Sequence, residues 1–557
     1  MGTVSEAYPA ESTEQALAEV LAEVARVERV PVDSHFFDDL GANSLVMAHF
    51  CARVRKRADL PSVSIKDVYR HPTIRSLAAQ LIEPQRPEAQ AAPIESSPPA
   101  PAEVPTPVSG PGYVLCGLVQ LLTFLGYSYL AALVAVLGYE WISASSGLLE
   151  AYLRSAVFAA ASLLGLCLLP ILAKWLLIGR WREQRIRVWS MAYVRFWIVK
   201  TLIRANPLAL FAGSPLYVLY LRALGARIGR GVVIFSRHVP VCTDLLTIGD
   251  NTVIRRDSYF AGYRAHAGQI ETGPVTLGRD VFVGEAAVID IGTSMGDGAQ
   301  LGRASSLHPG QAVPAGECWH GSPALRAETD YRTLDGAGGS TLRRALFSGM
   351  QVLSLLALSW PLAVGGLAIA REWVPRFDAL LNPGPLAFTS WTFYGDALAV
   401  SFVLFFGVLL GRFLIMLTVP RALNRAITPG AIYPLYGFHF WIHRAIARLT
   451  NIKFFMSLFG DSSYIVHYLR AVGYDISHVG QTGSNFGTDV KHDNPYLCSV
   501  GQETMVADGL TMISAEYSSS SFRVSRTSIG GRNFLGNHII YPPRGRTGDN
   551  CLLATKV

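Results

Sequence analysis

The sequence predicts a multidomain chain: a small all-α bundle, four membrane-spanning helices in two pairs, and two left-handed parallel β-helices of hexapeptide repeats. Three observations carry this. Apolar residues Leu277, Val283, Ile289, Met295, Leu301, Leu307 and Val313 recur every six positions. Gly278, Gly284, Gly296 and Gly302 directly follow four of them, and hexads of this kind stack into a parallel β-helix whose corners need small residues. Apolar stretches at 113–139, 155–178, 345–370 and 397–419 each reach the ~20 residues needed to cross hydrocarbon. Before all of these, Leu17, Val20, Leu21, Val24 and Val27 share one helical face in a polar, acidic N-terminal region.

The elements follow in order. Residues 13–28, Ser44 to about Arg57, and "VSIKDVYRHPTIRSLAAQL" (63–81) make the bundle, with boundaries at 1–82. Residues 83–112 hold nine prolines among Ala, Glu and Ser and read as a semi-rigid tether. The first span pair occupies 113–178, the first β-helix 179–344, the second pair 345–419 and the second β-helix 420–557. Ile228 and Ile234, then Ile248, Ile254 and Phe260, extend the hexads upstream, and residues 261–276 interrupt them as an excursion loop. "YLRALG" (220–225) returns as "YLRAVG" (468–473). Shifted by 252 residues, Gly249, Gly278, Phe282, Gly284, Gly296 and Asp297 meet Gly501, Gly530, Phe534, Gly536, Gly548 and Asp549. The unit, a membrane pair plus a β-helix, is present twice. The second copy is worn, with Tyr541 and Thr547 at interior positions, and stops at Val557 without the closing "CWHGSPA" (318–324) of the first. The chain therefore reads as a fragment of something longer.

Composition sets limits. Half of the 557 residues are hydrophobic and 16% charged, so the net charge of +7 is read as membrane flanks and not as a nucleic-acid surface. Arg180, Arg182, Arg185, Arg187, Arg195, Lys200 and Arg204 follow the second span, whereas the loop 140–154 carries Glu140, Glu150 and Arg154. The positive-inside rule then puts the N-terminus and both β-helices on the cytosolic side. Lys174 and Arg412, inside apolar spans near the cytosolic ends, are expected to snorkel. Seven scattered cysteines without a CxxC pair give no metal site and no disulfide framework.

"DDLGANSL" (38–45) places Ser44 at a helix start, where free N–H groups and the positive dipole end favour an attached phosphodiester. Capping alone would also explain such a serine. With "DVYRHPTIRSLA" (67–78), however, residues 13–82 resemble the peptidyl and acyl carrier proteins of nonribosomal peptide synthetases. That resemblance implies covalent 4'-phosphopantetheine on Ser44 and a phosphopantetheinyl transferase as partner.

Residues 113–557 resemble the membrane-embedded C-terminal region of the poly-ε-lysine synthetase family. The resemblance lies in "YLRALGARIG" (220–229), "GPVTLGRDVFVGE" (273–285), "GDGAQLG" (296–302), "QAVPAGECWHGSPA" (311–324) and "GDNCLLATKV" (548–557). It implies an enzyme of a bacterial cytoplasmic membrane that joins aminoacyl groups. No adenylation domain precedes the carrier here, so a separate adenylation enzyme would load it in trans. The family usually has three cytosolic copies of the β-helix unit.

A histidine suits proton removal from an attacking amine near neutral pH. The candidates are His266 in the excursion loop, His308 after the inward Leu307, and His538, which the internal alignment sets against Ala286. His320 and the pair His439 and His443 read as structural, and Asp290 and Asp297 as corner residues satisfying turn N–H groups. Three functions remain open: amide or isopeptide synthesis from an aminoacyl thioester, acyl transfer to an envelope lipid or sugar, and a non-catalytic β-helix scaffold with a tethered carrier.

Overall fold

The computed structural model describes the chain except residues 1–9, 26, 28, 38, 41–43, 56, 58–59, 61–62, 64, 83–109, 335–339, 360–376, 378–379, 381–382, 385, 477–487 and 554–557. It divides into two units, Met1–Glu103 and Val104–Val557. Most of the proline-rich tether lies outside the described residues.

In the first unit, helices α1 (Ala10–Ala25), α2 (Ser44–Val54), α3 (Ile65–Arg70) and α4 (Ile74–Ile82) form the bundle. Leu17 and Leu21 of α1, Met47, Phe50 and Val54 of α2, and Leu77 of α4 recur at helical spacing and are fully buried. Truncating one of the larger of these, such as Phe50→Ala, costs ~3–5 kcal/mol. The segment leading to Ser44 is stitched down. Phe36 is buried, its N–H donates to Pro72 O at 2.8 Å, and Arg75 N–H donates to Val32 O at 3.0 Å. Thr73 caps α4 by accepting from Ser76 N–H at 3.2 Å.

Among the described residues, three helices of the second unit are long and apolar enough to cross a bilayer: α5 (Gly110–Ser143), α6 (Leu148–Leu177) and α10 (Trp391–Asn424). Their apolar side chains, among them Leu121, Leu122, Phe124, Phe402 and Val403, face outward. Lipid is the solvent such a surface requires. The connection between α5 and α6 is only residues 144–147, shorter than the expected loop 140–154. The expected span 345–370 begins as α9 (Thr341–Leu353) and runs on as a π-helical turn (Ser354–Ser359). Its remainder lies outside the described residues.

Lys174 corrects an expectation. It does not snorkel: its side chain is fully buried, with Nζ 2.8 Å from Asp244 Oδ2 and 3.4 Å from the Trp175 ring centroid. It fastens α6 to the turn between strands Val233–Ile234 and Leu246–Ile248 of the first stack. Gly225 of "YLRALG" lies against the same carboxylate, at φ +108°, and a Cβ there would come 2.4 Å from Asp244 Oδ1.

Beyond two short helices, α7 (Met191–Arg204) and α8 (Pro215–Ala223), the hexads stack as expected. Strands pair in parallel eighteen residues apart, Phe282 with Gln300, Val288 with Ser306 and Ser294 with Ala312. Three hexads thus complete one coil, and the strands fall into three sheets. Every one of the seven hexad positions from Leu277 to Val313 is at most 2% exposed. At the corners the backbones nearly touch: a Cβ on Gly249 would lie 2.4 Å from Gly278 C. Antiparallel strands Cys318–Gly321 and Ala324–Ala327 close the stack.

The excursion 261–276 is not an irregular loop. It is an antiparallel hairpin, Tyr263–His266 with Gln269–Thr272, joined by strand Gln184–Arg187. Alternating burial along "QIET" and the ladder bonds leave little backbone unpaired. Ala267 and Gly268 turn it with φ of +46° and +75°, the left-handed pair that tight hairpins favour.

The second copy repeats the plan in detail. Met505 pairs with Phe534 across the same interval as Val253 with Phe282. Asp549 accepts from Gly531 N–H at 2.7 Å, as Asp297 does from Arg279 N–H. Tyr541 is buried inside the coil, its hydroxyl donating to Ser528 O at 2.8 Å, and Thr547 packs against it. Helices α11 (Phe438–Thr450), α12 (Lys453–Phe459) and α13 (Ile465–Val472) precede this stack. A hairpin, Ala515–Tyr517 with Ser521–Val524, matches the first copy's excursion.

That second hairpin lies on the first stack. Tyr517 and Phe235 are 4.4 Å apart between ring centroids, and Arg255 Nη2 donates to Ala515 O at 2.8 Å. Val253 and Phe282 are each 5% exposed beneath this contact, whereas their counterparts Met505 and Phe534 are 45% and 44% exposed. The two copies therefore meet head to tail.

Candidate active site

A cavity of about 440 Å³ opens where the two copies meet. Arg237, Arg255 and Arg256 line it from the first stack, His443, Arg444 and Arg448 from α11, and Asp493 and Tyr517 from the second stack. The sequence of α11, "FHFWIHRAIARLT", explains the placement. Phe440, His443, Ile446 and Thr450 form its buried stripe, and Arg444 and Arg448 stand one turn apart beside it.

His443 Nε2 and the Tyr517 hydroxyl share a hydrogen bond of 2.8 Å. Nδ1 is buried and has no hydrogen-bond partner among the described residues. Burial above all, with Arg444, Arg255 and Arg256 against the opposing pull of Asp493, holds this histidine down at about 4, so it is neutral at pH 7. A neutral imidazole with one free nitrogen in a cavity wall can accept a proton there. If the Tyr517 oxygen accepts from Nε2–H, Nδ1 is that free acceptor.

Asp493 is the nearby counter-charge. Burial raises its carboxyl, but Arg256, His443 and Arg255 outweigh burial and keep it ionised. It accepts from the N–H groups of Ser514 and Ala515, both at 3.3 Å, and lies 3.4 Å from Arg256 Nη1. Glu285 is likewise held ionised against burial by Arg255 and Arg303, the latter at 3.0 Å. His492 differs from His443. Both of its ring nitrogens are engaged, Nδ1 with Tyr474 Oη at 3.1 Å and Nε2 with Thr450 Oγ1 at 2.9 Å, so it braces the wall. Burial pushes the Cys498 thiol up to about 12, which leaves it inert as a nucleophile. Among the described residues no group of three His, Cys, Asp or Glu is arranged to hold a metal ion.

None of the histidines favoured from sequence lines this cavity. His266 is exposed on the first hairpin. His308 is exposed at a coil corner, Nε2 3.2 Å from Ser306 Oγ. His538 is exposed at φ +55°, and its aligned partner Ala286 has φ +52°, so both occupy the same left-handed corner. No hydrogen bond joins any two of the three among the described residues, although Arg264 beside His266 lies 3.8 Å from Asp290, whose N–H donates to Leu307 O at 3.1 Å. Asp290 and Asp297 serve turn N–H groups as expected. His443, read as structural, lines the cavity together with His492, and among the described residues its buried Nδ1 has no hydrogen-bond partner. One sequence signal marks the site: "HDN" (492–494) falls where the internal alignment has the apolar "PVC" (240–242).

In the first unit, Ser44 is the first residue of an eleven-residue helix with no acidic side chain in its first turn. A helix start of this kind suits a phosphodiester, so the residue present fits phosphopantetheine.

Residues 15–81 match the phosphopantetheine attachment site family. The first unit is thus a domain that carries covalent 4'-phosphopantetheine. The whole chain is 24% identical over 561 residues to delta-poly-L-ornithine synthetase of Acinetobacter baumannii (strain AB307-0294), covering 98% of this chain and 40% of that protein. The carrier region is 39% identical over 75 residues to a probable non-canonical nonribosomal peptide synthetase of Salinispora arenicola (strain CNS-205), covering 14% of this chain and 1% of that protein. A hexapeptide-repeat-containing acetyltransferase from Vibrio cholerae aligns in structure at 19% identity and a TM-score of 0.19, over 23% of this chain and 88% of that one. The chain spans two fifths of the length of the poly-ornithine synthetase it matches.

Proposed function

We propose that this chain, related to poly-amino-acid synthetases and bearing a phosphopantetheine domain, forms amide or isopeptide bonds from an aminoacyl thioester on Ser44, at the cavity between its two copies. The observation that carries the site is His443, buried at the junction with Nδ1 unpartnered. Phosphopantetheine, when bound, supplies a thiol whose ester activates the acyl carbon. Amide formation joins the amine nitrogen to that carbon, breaks the carbon–sulfur bond and moves one proton from nitrogen to sulfur. His443 Nδ1 accepts that proton, Tyr517 holds the ring through Nε2, and Asp493 offsets the imidazolium charge before Nδ1 returns the proton. No nucleophilic side chain is needed, because the acyl group arrives activated.

The finer architecture belongs to the same proposal. Both hexad stacks are left-handed parallel β-helices, 345–370 is a fourth span, and carrier and stacks share the cytosolic face of a bacterial membrane. On this reading an adenylation activity loads the amino acid onto Ser44. The domains are those drawn from the sequence: 1–82, 83–112, 113–178, 179–344, 345–419 and 420–557. A second reading, acyl transfer to an envelope lipid or sugar, draws on the same proton-accepting cavity. Protein with aminoacyl-loaded Ser44, reconstituted in lipid and given free amino acid, separates the readings by mass spectrometry. Amide-linked aminoacyl product is expected. An acylated lipid or sugar supports the second reading, and thioester that persists without transfer overturns catalysis at this cavity.

A further inference from the structure

Three arginines that line the cavity carry charge that no carboxylate balances among the described residues. Three other cations of the wall face carboxylates: Arg255 pairs with Glu285, Arg256 lies 3.4 Å from Asp493, and Lys491 is 3.2 Å from Asp489, whereas Lys453 has no carboxylate partner among the described residues. Arg237, Arg444 and Arg448 have no carboxylate partner among the described residues. Arg444 and Arg448 each place one Nη2 on a backbone carbonyl of the first copy, Ala212 O at 2.6 Å and Leu210 O at 3.1 Å. Those bonds hold the two guanidiniums, whose other donors have no hydrogen-bond partner among the described residues. Arg237 extends from the first stack into the same wall. Burial, then Arg448, pulls the Arg444 guanidinium down to about 10, with Arg237 adding to the effect. Arg444 is half-buried while Arg237 and Arg448 are exposed, so the like charge is partly desolvated at Arg444, and an anion joining the three offsets it there.

We infer that Arg237, Arg444 and Arg448 form a phosphate-binding subsite that takes the phosphate of a phosphopantetheine arm reaching this cavity. The inference rests on the cavity being the transfer site. Guanidiniums held in a fixed fork match phosphate oxygens bidentately, and the phosphate is the one formal charge on the arm this chain carries. Seating an anion there has a further consequence. It offsets Arg444, one of the cations holding His443 low, so His443 becomes a better base when the arm is in place.

The test uses the full chain in nanodiscs with Ser44→Ala, so that no attached arm competes. Calorimetry compares 4'-phosphopantetheine with pantetheine, which lacks the phosphate. Phosphopantetheine should bind at least tenfold more tightly to the parent protein. In Arg237→Gln/Arg448→Gln that preference should vanish with pantetheine affinity unchanged, and Arg237→Lys/Arg448→Lys should keep most of it. Equal affinities in the parent, or a preference that survives both glutamines, would overturn the subsite. If phosphatidylglycerol nanodiscs abolish a preference seen in phosphatidylcholine, the arginines hold a lipid headgroup and the inference falls. So it does if free amino acid displaces phosphopantetheine, since the anion would then be a carboxylate. A lost preference alongside wild-type transfer in a His443 variant would retain the subsite and reject the transfer site.

Discussion

Replacing Lys174 by Met should loosen the join between α6 and the first hexad stack. Lys174 is wholly buried, and Asp244 is 13% exposed, so most of the hydration of both charges is lost on folding. With Lys174 gone, the carboxylate keeps the Trp181 N–H at 3.0 Å and little else. Breaking a buried pair by removing one partner costs ~3–5 kcal/mol, and the slight exposure of Asp244 puts this case near the lower end. Asp244→Asn should cost a similar amount. It strands an ammonium whose remaining support is the Trp175 ring, an attraction of about 2 kcal/mol when desolvated. The double variant keeps an acceptor for Trp181 N–H and holds no orphan charge. It should therefore lie ~2–3 kcal/mol above the sum of the singles, a coupling that a double-mutant cycle reads directly. Denaturant titration of detergent-solubilised protein, followed by tryptophan fluorescence, supplies all three numbers. Additive singles, or singles within ~0.5 kcal/mol of the parent, the range of ordinary surface changes, would refute a buried pair at this join.

Incubation with a phosphopantetheinyl transferase and coenzyme A should raise the intact mass by one arm, and Ser44→Ala should gain nothing; a gain in that variant would place the arm elsewhere. His443 and His492, held by burial at about 4 and about 3, should make stability fall as pH drops. The sign follows from both values lying below the unfolded ~6.5: the unfolded chain takes up the protons first, at a slope of ~1.4 kcal/mol per pH unit for each histidine. That loss should run from about pH 6.5 toward 4, and His492→Gln should remove about half of it; a flat profile would contradict neutral buried rings. A cysteine at Ser145, in the loop between α5 and α6, should label from outside the cell, and one at Ser306 should not; the reverse result inverts the proposed orientation.

The repeat architecture was legible because each hexad reports on itself. An inward residue every sixth position and a glycine at the corner are local demands, so Leu277 to Val313 announced their coils, and the 252-residue shift announced the second copy. The hairpin at 263–272 was legible only as an interruption. Its ladder partner, Gln184–Arg187, lies some eighty residues upstream, and nothing in "AGYRAHAGQIETGPVT" names it. The same limit hid Lys174, whose position near a span end fits snorkelling until Asp244 is brought against it. It hid the cavity most of all. His443 sits on an apolar stripe, the usual place of a packed histidine, and the cavity it lines exists only where residues of the first copy meet those of the second. His266, His308 and His538 drew attention for the opposite reason: residues at corners and excursions stand out in a regular repeat, whether or not they meet anything.

The central claim is that transfer takes place between the two copies with His443 as proton acceptor. Single-turnover release of the aminoacyl group from Ser44-loaded protein tests it most directly, comparing the parent with His443→Gln, and with Tyr517→Phe as a milder change at the same bond. The account expects His443→Gln to slow release by roughly 100-fold or more, the range for loss of a general base, with Ser44 loading and pantetheine binding unchanged. Wild-type release from His443→Gln, with a comparable loss in His266→Ala, His308→Ala or His538→Ala, would contradict it and move the chemistry out of the cavity.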